Sequence, residues 1–133
     1  MAVNKKIQRC KKCPYYSEEI EDYDLHPPIF SLEYLQKNYN LEGRDDLKGD
    51  FFNKILVLSQ STWKQLNQYH RHGQGYEKIN RDALKVSIPG FIKPDVNFIA
   101  FRFSGKAPMV GFRDKSTFYI LWFDANFDLY NHG

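Results

Sequence analysis

The sequence predicts an α+β fold: a mostly antiparallel sheet with a C-terminal three-strand meander and two to three helices packed on one face. Three observations predict it. Residues 96–103, 108–113 and 117–123 are strand-like runs separated by almost no sequence, and Asp114-Lys115-Ser116 suits only a tight turn. Helical periodicity precedes them between about Asp45 and Leu84. A single strand-like run stands ahead of the helices, so helices and antiparallel strands are segregated along the chain.

Each element has its own signal. Residues 29–34 alternate Phe30, Leu32 and Tyr34 against Ser31 and Glu33, which predicts a first strand. Leu47, Phe51, Ile55 and Leu58 recur at spacings of four, four and three, which predicts a helix from about Asp45 to Leu58. Ser61 is placed to cap a second helix carrying Trp63, Leu66 and Tyr69, ended by Gly73 and Gly75. Tyr76, Ile79 and Ala83 share one face of a predicted third helix over 76–84. Pro89, Gly90 and Pro94 then break the chain. Residues 96–103 are apolar on both faces, as a central strand must be. In residues 117–123 the alternation sets Phe118, Ile120 and Trp122 against Tyr119, Leu121 and Phe123. Trp63, Phe98, Ile120 and Trp122 are expected in the core.

The chain has 133 residues, enough for one domain with a small appendage, and 22 aromatics, enough that some rings line a groove or the surface. Residues 1–28 read as the appendage and residues 29–133 as a single α+β domain, with His26-Pro27-Pro28 at the junction. Net charge is only +3, but its distribution is uneven. Residues 1–12 hold five bases and no acid, and residues 17–24 hold five acids and no base. From Gln60 onward ten bases face six acids, which favours an anionic ligand. No apolar run is long enough to span a bilayer, and the two cysteines, Cys10 and Cys13, cannot staple a fold. Cytoplasmic location and no membrane partner are the expectation.

Candidate chemistry sits mainly in the meander and the tail. Arg102, Lys106, Arg113, Asp128, Tyr130 and His132 are the residue types that hold a phosphate and move a proton. The alternative for Arg102 and Arg113 is cross-strand pairing with Asp95, Asp114 or Asp124. His70-Arg71-His72 lies between Tyr69 and Tyr76 beside two glycines. It reads either as an RNA-facing loop or as a hydrophilic helix end. Cys10-x-x-Cys13 has half the spacing of a zinc site; closing one needs two further ligands, such as His26 or the His70/His72 pair. Reduced thiols, with no metal or other cofactor, are the default. The acidic run over 18–24 reads as a solvated segment or as an internal mimic of RNA laid on the basic face.

The element order, together with arginines on the sheet strands and the Tyr130-x-His132 ending, resembles the RelE/ParE/HigB toxin superfamily over residues 29–133. The resemblance implies a metal-independent endoribonuclease that cuts messenger RNA at the ribosome, as the toxin of a toxin–antitoxin pair with an antitoxin protein as partner. It assigns Arg102 and Arg113 to the scissile phosphate, and Asp128, Tyr130 and His132 to proton transfer. Lys106, His70, Arg71 and His72 would contact RNA. The alternative is a non-catalytic nucleic-acid- or protein-binding accessory module of a mobile element or phage, using the same basic, aromatic surface.

Overall fold

Strands that are apolar at successive residues must be covered on both faces, and that requirement organises the whole chain. The structure, a computed structural model, describes residues 22–69 and 74–131. The strands β3 (Phe98–Ser104), β4 (Ala107–Asp114) and β5 (Thr117–Phe123) form the expected antiparallel meander. The β3–β4 turn uses Gly105 at φ 56°, a left-handed conformation that costs glycine little. In the β4–β5 turn Lys115 takes the same region at φ 59°.

Two further strands complete a five-stranded mixed sheet in the order β1-β5-β4-β3-β2. The first strand, β1 (Ile29–Ser31), lies parallel to β5. It is shorter than its alternation predicts because the Ser31 hydroxyl accepts from the Glu33 amide and the Leu35 amide bonds back to Leu32, turning the chain. The other addition, β2 (Tyr76–Ile79), pairs antiparallel with β3 and corrects the predicted third helix. The i, i+3 spacing of Tyr76 and Ile79 misled because the two side chains lie on opposite faces of the sheet. Helix here would have left the edge of β3 unpaired. A short 3₁₀ turn, Arg81–Ala83, follows it.

Two helices stand between β1 and β2. The first, α1 (Asp45–Leu58), opens with Asp45 and Asp46 at its positive end, within the predicted bounds. The second, α2 (Trp63–Gln68), is started by Thr62 rather than Ser61. The Thr62 hydroxyl accepts from the Gln65 amide while the Gln65 side chain accepts from the Thr62 amide, a closed capping box. Leu47 and Leu58 of α1, and Trp63 and Leu66 of α2, pack with Ile99, Phe101, Phe103, Met109, Phe118, Ile120 and Phe123. Both helices therefore cover one face.

The opposite face is covered without helices. Leu84, Val86, Ile88, Ile92 and Val96 from one irregular segment, with Leu129 and Tyr130 from the tail, pack on Phe98, Ala100, Val110, Leu121 and Trp122. The Lys85 amide bonds to the Leu129 carbonyl at 2.8 Å and joins the two segments. Trp63, Phe98, Ile120 and Trp122 are all buried, as expected.

One register shift changes which residues of β5 face the helices. Val110 stands opposite Trp122 but Gly111 stands opposite Ile120, leaving Leu121 as an extra residue. Leu121 and Trp122 consequently share the far face, and Phe123 joins Phe118 and Ile120 under the helices, which corrects the strict alternation. The freed Leu121 carbonyl accepts from the Gln36 amide at 2.8 Å. Gly111 makes the bulge feasible. A Cβ there would overlap the Tyr119 carbonyl oxygen and lie 2.8 Å from its carbon. Gly111→Ala is expected to lower the unfolding free energy by about 3 kcal/mol or more, because backbone must move. A urea titration measures this, and an unchanged midpoint would contradict the close approach.

Candidate nucleic-acid interface

Basic and aromatic side chains come together at the surface where β1 and β4 end and β5 begins. Arg113 is near the end of β4, opposite Phe118, on the helix-covered face. Its guanidinium lies over the Trp63 ring with its carbon 4.3 Å from the ring centroid. Nε donates to the Lys115 carbonyl at 2.6 Å, and Nη2 donates to the Asp24 carboxylate at 2.7 Å. Sequence reasoning offered Asp95, Asp114 or Asp124 as acid partners across strands; the partner here is 89 residues away. A cation held over a tryptophan and by two oxygens has a structural role that the residue type alone does not disclose.

Arg102 is placed differently. It lies between Phe101 and Phe103, which both face the helices, so its side chain leaves from the opposite face, with Phe98 and Ala100. Arg102 and Arg113 therefore do not converge on one phosphate. Lys106 is exposed in the β3–β4 turn. Tyr130 is buried on the far face, packed against the sheet. Asp128 is exposed, and a hydrogen bond between its carboxylate and the Tyr39 phenol helps to raise the phenol above its ordinary value, after burial, the largest cause. His70, Arg71, His72, His132, Cys10 and Cys13 lie outside the described residues. Among the described residues no group of three or more His, Cys, Asp or Glu is placed to hold a metal ion.

Asp124 turns out to be the organiser of the tail. It is the buried acid of the fold's described part, and its carboxylate accepts from the Asp128 amide at 2.9 Å and the Leu129 amide at 3.2 Å. The Asp124 amide donates in turn to the Pro108 carbonyl. These bonds fold the chain back so that Leu129 and Tyr130 reach the sheet. Asp124→Ala should cost about 2–4 kcal/mol and speed amide exchange at Leu129 and Lys85, because buried donors are left unmet. Asp124→Asn should recover most of the loss, since a side-chain carbonyl still accepts; equal damage from both would refute the capping role.

Beside the Arg113 end of β4, on the far face, four rings form a continuous array. Phe112 and Tyr119 are stacked at 5.1 Å, Tyr34 lies 5.3 Å from Tyr119, and Phe91 lies 4.7 Å from Tyr34. Tyr34 and Phe112 are nearly parallel, at 19°. With Lys93, Asp95 and Asp114 these rings line a groove of about 460 Å³. Phe91 is 56% exposed. The Glu33 carboxylate first, then burial and Tyr119, push the Tyr34 phenol above its ordinary value, so the phenol stays protonated to higher pH than a free one. Because the folded state favours the protonated phenol, the associated stability is present below pH 10.0 and is lost as pH rises through the raised value.

The aromatic count of the sequence pointed to such a groove, but nothing in it singled out these four residues. Tyr34 follows β1, Phe91 comes from the covering segment, and Phe112 and Tyr119 face each other across β4 and β5. Comparisons with protein-family models, curated proteins and solved structures find no match to this chain. Among the described residues, no helix is long and apolar enough to cross a membrane.

Proposed function

We propose that this protein binds single-stranded RNA, with bases stacking in the groove formed by Tyr34, Phe91, Phe112 and Tyr119. The ring array carries this reading. An exposed Phe91 against Tyr34, continued by the Tyr34–Phe112–Tyr119 stack, offers apolar ring surface on which unpaired bases gain about 1–3 kcal/mol each. Lys93, at the rim, supplies a phosphate contact. Lys93 and Arg113 are balanced by Asp95 and Asp114 in the lining, so stacking rather than charge carries the affinity and the salt dependence is shallow. Phe91→Ala and Tyr34→Ala should each weaken binding of a single-stranded oligonucleotide by about tenfold or more in a fluorescence-anisotropy titration. Phe91→Ala should leave the melting temperature nearly unchanged, as the side chain is largely exposed. Wild-type protein that binds no single strand, or variants that bind as well, would defeat the reading.

The order of elements favours a second reading, the RelE-like toxin. One strand, two helices and a run of antiparallel strands is the arrangement on which that resemblance rests, and messenger RNA at the ribosome would then be the bound strand, with an antitoxin protein as partner. Arg113 would steady the phosphate from the end of β4. The opposed faces of Arg102 and Arg113 weigh against the two acting together. Expression in a host without an antitoxin separates the readings: growth arrest with ribosome-dependent cleavage supports the enzyme, whereas harmless expression with RNA binding supports the module alone.

A further inference from the structure

Arg113 lies where two depressions meet at the end of β4: the aromatic groove of the far face, and a second cleft whose other walls are Asp22, Tyr23, Asp24 and Lys115. The guanidinium is on the cleft side, over Trp63, so a strand leaving the groove reaches it by passing the end of β4. Its guanidinium is held on two sides that belong to the sheet and α2, the Lys115 carbonyl at 2.6 Å and the Trp63 ring at 4.3 Å. Those contacts fix the plane and direction of the fork before any ligand arrives. The remaining contact is of another kind. Asp24 belongs to a three-residue 3₁₀ turn, Tyr23–Leu25, in which no side chain is buried. The Asp24 side chain is 58% exposed, against 26% for that of Arg113. The chain is anchored just beyond, where the Trp63 amide bonds to the His26 carbonyl at 2.9 Å and Pro28 is buried. No buried side chain of the turn would have to leave the core if the turn moved away from Arg113.

We propose that Arg113 is an oxyanion seat for a phosphodiester group of the strand bound in the aromatic groove, and that Asp24 fills the seat in the free protein as a displaceable internal carboxylate. The substrate class rests on the RNA-binding reading above; the seat itself rests on the Arg113 geometry. Charge supports the exchange. With the turn in place the cleft presents Asp22 and Asp24 against Arg113 and Lys115, and no net attraction for an anion. With the turn displaced, two cations remain. A phosphate accepts the same charge-assisted hydrogen bond from Nη2 that Asp24 now accepts. An exposed ion pair of this kind is weak and screened by salt, which is what a displaceable occupant requires. The acidic run over 18–24, suggested by sequence as a mimic of RNA, thus has one member placed against a specific cation.

Removing the carboxylate tests the exchange. Asp24→Ala should bind a single-stranded RNA oligonucleotide about three- to tenfold more tightly than wild type at low salt, and the slope of log affinity against log salt should steepen by about one phosphate contact. Adding Arg113→Gln should erase the gain. If that variant does not fold, Arg113→Lys, which keeps a charge beside Trp63 but loses the oriented fork, should retain only part of it, and a full gain in Arg113→Lys overturns the seat. Equal or weaker binding by Asp24→Ala overturns the proposal while leaving groove binding intact. If no form binds RNA, the groove reading falls, and inorganic pyrophosphate becomes the probe, read by Trp63 emission. A saturable change in Asp24→Ala that disappears in Asp24→Ala/Arg113→Gln upholds the seat, and no change in either overturns it.

Discussion

The indole of Trp63 is the junction on which the remaining structure depends. It is wholly buried, with its ring 5.9 Å from Tyr76 and 6.1 Å from Phe101, so it joins α2 to β2 and β3. Its Nε1 donates to the Ser116 carbonyl at 2.9 Å, and the same carbonyl accepts from the Ile29 amide, which ties β1 and α2 to the β4–β5 turn. Its backbone amide holds the His26 carbonyl, and its outer face carries Arg113. Aromatic bulk supplies the packing while the polar edge fixes orientation, a combination that no aliphatic side chain offers. Entry segment, α2, both sheet edges and the end of β4 thus meet at one residue.

That junction decides where ligand can reach the sheet. The helices close one face, and the 84–96 segment with the Asp124-capped tail closes most of the other. What remains open is the corner where β1 is short, β4 ends and Phe91 projects. The β5 bulge contributes, since it places Leu121 and Trp122 together under the covering segment and frees the Leu121 carbonyl for Gln36, fixing the chain just after Tyr34. A site at such a corner needs no helix N-terminus or glycine-rich loop. It uses rings supplied by three separated parts of the chain and a cation that is already oriented.

The meander, α1 and most of the core were legible because their signals are local. Alternation over 98–123 and the spacing of Leu47, Phe51, Ile55 and Leu58 report burial directly. The misread elements depended on distant partners. Tyr76–Ile79 is a strand because β3 offers an edge, and its four residues fit helical spacing equally well. The parity of Trp122 and Phe123 turns on a bulge that Gly111 permits through backbone proximity to Tyr119, a contact no periodicity reveals. At the candidate site, residue type nominated Arg113 and composition nominated the acidic run over 18–24, but neither disclosed the pairing of Arg113 with Asp24, 89 positions away. No local pattern sets the four groove rings apart from the other aromatics; only tertiary packing brings them together and leaves them partly open.

The central claim is that unpaired bases stack in the ring array at the β1–β5–β4 corner. Photochemical crosslinking of a single-stranded RNA containing 4-thiouridine, followed by mass-spectrometric mapping, tests it most directly. The account predicts crosslinks concentrated at Tyr34, Phe91 and Tyr119, with none on the outward side of α1. Crosslinks confined to α1 or to the β3–β4 turn, with the four rings unmodified, would contradict it.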